Sequence, residues 1–181
     1  MIVSPVKTET ILPNTVSLED VLDSIDPQSL DLLQNNSILV VTSKIISICD
    51  GDLVKIDPDQ PTQKMELIKQ ECDRFIPPEL NAYGVSLTIK NGFLVPTAGI
   101  DESNCEGYYV LWPKDPQASA NRIRRYIKQK YDRDIGVIVS DSVTSPLRGA
   151  GTTGISIAHS GFQAVNSYIG KPDLFGRLLK I

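Results

Sequence analysis

The sequence predicts an α+β fold: two intermixed lobes with mixed and antiparallel sheets. Three observations carry this expectation. Segments with apolar residues at helical spacing are interspersed with short strand-like runs. Two of those runs, Ile38–Val41 and Gly136–Val139, are continuously apolar, as in strands buried on both faces. Asn91-Gly92 separates two alternating runs, the strongest short-range signal for a β-hairpin. The lobes divide near Tyr83, giving an N-terminal lobe of residues 1–83 and a second lobe of residues 84–181.

Taken in order, Met1–Lys7 reads as a short strand and Thr8–Thr15 as a loop interrupted by Pro13. Ser17 is an N-cap candidate, followed three residues later by Asp20 and by apolar Val21, Leu22 and Ile25. After the run Ile38–Val41 come Thr42-Ser43-Lys44 and then Ile45-Ile46. Asp50-Gly51 marks a turn. Lys64–Phe75 reads as a helix stopped by Pro77-Pro78. Val85, Leu87 and Ile89 alternate, Asn91-Gly92 forms a type I′ turn, and Phe93 and Val95 resume the alternation. Tyr108–Trp112 is an apolar strand. Asp115 or Ser119 starts a helix that runs to Tyr131 with Ile123 and Ile127 on one face. The buried strand Gly136–Val139 ends in Ser140-Asp141-Ser142. Ile155–Ala158 is a short apolar stretch, Ala164–Ile169 reads as helical, and Gly170–Asp173 as a turn.

Bulk properties exclude several classes of function. A chain of 181 residues with 41 % apolar and 22 % charged residues has ordinary globular composition. Its net charge of −4 argues against nucleic-acid binding, which needs a basic surface. Arg122, Arg124, Arg125, Lys128 and Lys130 cluster at helical spacing and read as a solvated helix face. Cys49, Cys72 and Cys105 are odd in number, widely spaced and free of any C-x-x-C, against a disulfide framework or a structural zinc site. No basic-then-apolar leader is visible, and no apolar run approaches the roughly 20 residues of a membrane span. A cytoplasmic protein with no membrane partner is the expectation.

The chemistry-bearing candidates are few. Lys44, flanked by hydroxyls beside an apolar strand, is either an anion contact or a surface lysine. Asp101 follows the hairpin and Asp141 ends an apolar strand. Two such carboxylates can converge on one Mg²⁺, which takes one or two protein carboxylates and leaves the rest to water and phosphate; alone, each also reads as a turn former. Gly149-Ala150-Gly151-Thr152-Thr153-Gly154 matches G-x-G-x-x-G formally, but it does not follow a strand directly, and Ile155-Ser156-Ile157 reads as strand, so a dinucleotide site is rejected. The loop, with Arg148 beside it, is either a phosphate cradle or a surface loop. His159, the only histidine, has apolar neighbours and reads as packed; Trp112 reads as core or lobe interface.

Several motifs then occur in one order: VVTSKIIS around Lys44, GIDESN (Gly99–Asn104), DPQASA (Asp115–Ala120) leading into an Ile-Arg-Arg helix, GVIVSDS (Gly136–Ser142) and IGKPDLFGR (Ile169–Arg177). Over nearly its whole length the chain resembles the coenzyme F-420:γ-glutamyl ligase family. The wording around YGVSLTIKNGFLVPTAGIDESN and GYYVLWPKDP is most similar to a branch associated with folate metabolism. The resemblance implies a ligase that phosphorylates an acceptor carboxylate with GTP or ATP and lets the amine of L-glutamate displace the phosphate. The acceptor would be folate-like or coenzyme F-420-like. The resemblance assigns Asp101 and Asp141 to Mg²⁺ or Mn²⁺ and to catalysis, with Ser142 helping to hold a second ion. Leu12, Pro13, Asn14, Thr15, Ser43, Lys44 and Asn104 fall to the nucleotide, and Arg148 with the glycine-rich loop to phosphates. It also implies a homodimer and a metal–nucleotide cleft between the lobes. The chain departs from the pattern at Ile48, where coenzyme F-420 members carry lysine, and in the residues after Arg148. Family members continue beyond the DLFGR motif, so a shortened relative that binds nucleotide and metal without catalysis is the competing expectation.

Overall fold

In the computed structural model, residues 2–82, 84–143, 153–163 and 165–180 are described. Chain order is α1 (Leu18–Asp23), α2 (Pro27–Leu32), β1 (Ile38–Thr42), α3 (Ser43–Asp50), β2 (Leu53–Lys55), α4 (Gln63–Glu71), β3 (Arg74–Ile76), β4 (Leu87–Lys90), β5 (Phe93–Pro96), β6 (Tyr108–Val110), α5 (Pro116–Tyr131), β7 (Gly136–Val143) and β8 (Thr153–Ser160). The α+β expectation holds, with one mixed and two antiparallel sheets: β1-β7-β8, β2-β6 and β3-β4-β5. Both β1 with β7 and β2 with β6 join segments from the two sides of residue 83, itself outside the described set.

The main core lies between the first sheet and helices α1, α3 and α5. Ala120, Ile123 and Ile127 recur at helical spacing on α5 and are fully buried against Val137 and Val139 of β7 and Ala158 of β8. Leu18 and Leu22 of α1, Leu39 of β1 and Ile46 of α3 complete that cluster. Local sequence sets the helix ends. Ser17 and Asp20 form a reciprocal capping box (Asp20 N to Ser17 Oγ 3.1 Å, Ser17 N to Asp20 Oδ2 2.9 Å). Asp115 caps α5 by accepting from Ala118 N at 2.8 Å, with Pro116 at the first helical position. The hairpin forms as expected, Asn91 (φ 51°) and Gly92 (φ 79°) both taking the positive φ of a type I′ turn. Four basic residues on the exposed face of α5 are also ion-paired: Arg122 with Glu19 and Asp50, Arg124 with Asp134, Lys128 with Asp132, Lys130 with Asp23.

Four expectations need correction. Residues 2–7 form no strand; Ile2 and Val3 lie exposed, with no ladder to join. The run Ile38–Val41 is a strand but is buried on one face only, Leu39 facing the core while Ile38 and Val40 face solvent. The helix expected over Lys64–Phe75 stops at Glu71, because Phe75 pairs with Thr88 in the sheet. Residues 165–168, expected to be helical, have no regular structure. No helix among the described residues is long and apolar enough to cross a membrane. Truncating the centre of the core with Ile123→Ala should lower the unfolding free energy by about 2–5 kcal/mol, whereas Arg125→Ala, on the exposed face, should change it by less than ~0.5 kcal/mol. Urea unfolding followed by circular dichroism measures both.

Candidate functional site

Asp141 owes its place to a strand pairing. Strands β1 and β7 run parallel, with Thr42 opposite Ser140, so both reach the same end of the sheet together. There β1 turns straight into α3, whose first residues are Ser43 and Lys44, while β7 continues to Asp141 and Ser142. On its other side β7 pairs with β8, and the register shifts between Val139 and Ser140. Such a bulge re-aims the side chains beyond it.

Asp101 arrives from the opposite side on a strained turn. Thr97 (φ 51°), Ala98 (φ 55°) and Gly99 (φ 74°) are three successive left-handed residues. That conformation is costly for a β-branched threonine. It is held by Thr97 N to Ser86 O (2.8 Å), Ala98 N to Thr88 Oγ1 (2.8 Å) and Ile100 N to Thr97 O (2.9 Å). Gly99 is also required sterically, since a Cβ there would lie 2.1 Å from the indole nitrogen of Trp112. Asp101 is then fastened to β6 by a reciprocal pair of backbone bonds with Val110 (3.0 and 2.7 Å).

The two carboxylates meet in one pocket of about 240 Å³, lined by Thr42, Ser43, Lys44, Gly99, Asp101, Val110, Leu111, Asp141 and Ser142. A larger, mostly apolar groove of about 460 Å³, lined by α1 and β1, shares Thr42, Asp141 and Ser142 with it. Lys44 Nζ lies 2.6 Å from Asp101 Oδ2 and donates to Ser103 O (3.1 Å) and Ser103 Oγ (3.3 Å). Asp101 Oδ1 accepts from Ser103 N and Oγ, both at 2.8 Å. Asp141 Oδ1 accepts from Ser142 N at 2.8 Å, and Oδ2 accepts from the Trp112 indole N–H.

These surroundings push the two acids in opposite directions. Burial alone would raise Asp101, but hydrogen bonds from Lys44 and Ser103 outweigh it and hold the carboxyl at about 2. Burial raises Asp141 above the ordinary aspartate value, and the nearby Asp101 charge adds to the rise; hydrogen bonds from Ser142, Trp112 and Ser43 offset only part of it.

The donor set fits a hard divalent cation. The pocket is lined by two carboxylates and by Ser43 and Ser142, with Ser103 Oγ beside Asp101 and Lys44, and Mg²⁺ or Mn²⁺ prefers oxygen and retains water. Among the described residues no group of three or more His, Cys, Asp or Glu side chains forms a protein-only cage, so water or substrate oxygen would have to complete any coordination shell. The N-terminus of α3, with no side-chain cap and no acid in its first turn, opens on the same pocket and favours an anion there.

Of the residues expected at the site, Asp101, Asp141, Ser142, Ser43 and Lys44 converge here. Leu12, Pro13, Asn14 and Thr15 do not line this pocket; they form a turn in which Thr15 Oγ1 donates to Leu12 O at 2.8 Å. Their neighbour Ile11 packs against the cluster of Ile48, Cys105 and Val110, just beyond Asp101. Ile48 is buried in that cluster rather than turned toward the pocket. Asn104 is exposed, in a left-handed conformation. Arg148 and Gly149–Thr152 lie outside the described residues. Thr153 onward is strand β8, which removes the helix that a dinucleotide fingerprint needs. His159 packs on Phe162 (ring centroids 5.2 Å). Sequence reasoning missed Ser103 and Trp112. The D-x-S spacing of Asp101 and Ser103 is the signature of an Asx-turn, and a buried indole normally needs an acceptor.

A family sequence model described as F420-0:Gamma-glutamyl ligase matches residues 5–181. Curated relatives named coenzyme F420:L-glutamate ligase include that of Methanopyrus kandleri (28 % identical, covering 82 % of this chain and 64 % of the relative). Those of Methanocaldococcus jannaschii (31 % identical, 82 % and 64 %) and Methanothermobacter thermautotrophicus (28 %, 88 % and 68 %) are similar in the same way. The chain thus spans about 64 % of the length of the first two of these relatives.

Two outcomes follow from the opposed acids. Asp101 is depressed on folding, so its contribution to stability is complete above its unfolded value of 3.8 and is lost as pH falls toward about 2. Asp101→Asn should flatten the loss of stability across that interval in urea titrations at graded pH. Trp112→Phe removes a donor that lowers Asp141, so the Asp141 carboxyl should titrate still higher than in the wild type, read from its ¹³C shift.

Proposed function

Because the chain belongs to the F420-0:gamma-glutamyl ligase family, we propose that it joins L-glutamate through a γ-glutamyl amide bond to an F420-like or folate-like acceptor, using GTP or ATP with Mg²⁺ or Mn²⁺. The observation that carries this reading is the convergence of Asp101, Asp141, Lys44 and the α3 N-terminus on one pocket. Phosphoryl transfer rests on positioning and charge neutralisation, and these are the groups that provide both.

In this reading Asp101 and Asp141 hold the cation and Ser142 supports a second one. A bound divalent ion supplies the positive charge that offsets the triphosphate. Lys44, Ser43 and the first amides of α3 bind phosphate oxygens. The Leu12–Thr15 turn and Asn104 flank the nucleoside, and Arg148 with the glycine-rich loop covers phosphates. No covalent nucleophile from the protein is needed, because the activated species is an acyl phosphate on the acceptor. An acceptor carboxylate takes the γ-phosphoryl group, and the glutamate amine then attacks that acyl phosphate and expels phosphate. The apolar groove beside Asp141 suits the flat ring system of the acceptor. A folate-like acceptor draws its support from the sequence of residues 83–116, an F420-like one from the relatives' names. Two copies forming a homodimer is part of the same reading.

The test is to supply glutamate, Mn²⁺ and GTP or ATP with either an F420-type or a reduced folate acceptor and to look by mass spectrometry for addition of a glutamyl residue. Asp101→Asn and Asp141→Asn should each lower the rate by ~100-fold or more and weaken Mn²⁺ binding. Variants that bind Mn²⁺ and nucleotide as the wild type does would refute the site. Binding without product on either acceptor would reduce the chain to a nucleotide- and metal-binding protein.

A further inference from the structure

We propose that Lys44 is a cation placeholder: its ammonium occupies the metal position on Asp101 until a divalent ion displaces it, and the released charge then receives the triphosphate. This inference rests on the metal–triphosphate reading of the pocket. Lys44 Nζ is surrounded by three oxygens, Asp101 Oδ2 at 2.6 Å, Ser103 O at 3.1 Å and Ser103 Oγ at 3.3 Å. One carboxylate, one carbonyl and one hydroxyl form the donor set of a hard cation, here filled by an ammonium. Cys105 fixes the loop that supplies it, its Sγ lying 2.9 Å from Ser103 O. An ammonium and a divalent ion cannot share Asp101 Oδ2, because two positive charges a few ångströms apart repel strongly in a partly buried site.

Lys44 is the second residue of α3, and its flexible stem leaves the ammonium free to swing within the pocket that the helix N-terminus faces. Metal binding therefore exposes a phosphate-seeking cation, and phosphate binding withdraws the metal's competitor. Each ligand strengthens the other, and the coupling is reciprocal. Without ligands, the same lysine offsets the negative charge gathered by Asp101 and Asp141.

Lysine acetylation read by peptide mass spectrometry tests the displacement, with exposed Lys7 as internal reference. Electron paramagnetic resonance of free Mn²⁺ measures binding in the same samples. Mn²⁺ alone should raise Lys44 labelling relative to Lys7 on the order of fivefold, and a non-hydrolysable triphosphate added with Mn²⁺ should suppress it again. Lys44→Met should bind Mn²⁺ alone on the order of tenfold tighter than wild type and lose most of the enhancement that triphosphate gives. Bound Mn²⁺ with Lys44 labelling unchanged or reduced would overturn the placeholder and leave the metal site standing. No Mn²⁺ binding, or binding that Asp101→Asn does not weaken, would overturn the metal reading and the placeholder with it.

Discussion

The candidate site depends first on the parallel pairing of β1 with β7. A parallel pair brings two strand ends, far apart in sequence, to the same edge of a sheet. Here the register that sets Thr42 opposite Ser140 places the start of α3 beside Asp141. Burial enforces that register from one face only. Leu39 faces the core with Val137 and Val139 of β7, and a slip of one residue would turn Leu39 out and bring Ile38 and Val40 in. The helix N-terminus, Lys44 and Asp141 are therefore neighbours because a hydrophobic stripe fixes a register.

A second constraint is electrostatic. Asp101 and Asp141 in one small pocket repel each other, and the fold resolves this by giving them unlike surroundings. Asp101 has a full cation and a serine turn, so it stays ionised to low pH. Among the described residues Asp141 has only neutral donors, from Trp112, Ser142 and Ser43, and its burial works against its charge. Among the described residues one carboxylate therefore has no cation beside it, while the other is paired with the ammonium of a long side chain. Both features favour recruiting a cation from solution, and they arise from hydrogen-bond partners rather than from the number of acids.

The sequence made the local features legible where a single mechanism acts. Ser17 with Asp20, Asp115 with Pro116, and Asn91-Gly92 each satisfy a short-range backbone requirement, and each appears where expected. Features decided by distant partners were not legible. Phe75 has helical neighbours, yet its strand partner Thr88 wins. Ile38 and Val40 look like core until the sheet shows that one face of β1 is left open. Asp101, Asp141 and Lys44 were readable as candidates from their places beside strands, and again through motif resemblance, but their convergence required the β1–β7 register and the β6 anchor of Asp101. Trp112 was readable as buried, while its bond to Asp141 was not, because no local pattern names the acceptor of an indole.

The site also divides into a rigid half and an adjustable half. Trp112 is wedged against Gly99, borders Phe93 at 6.0 Å between ring centroids and binds Asp141, while Gly99 ends a turn of left-handed residues whose Ala98 and Thr97 N–H groups donate to Thr88 Oγ1 and Ser86 O. Strain of that kind persists only where the surroundings over-determine it. Here it orients the backbone of Asp101 and the carboxylate of Asp141 together, through one indole that touches both segments. Among the described residues, the long side chain of Lys44 is the one charged group in the pocket on a flexible stem. Fixed acids with a movable base are what a pocket needs if it is to exchange an internal cation for an external one while the fold around it stays unchanged.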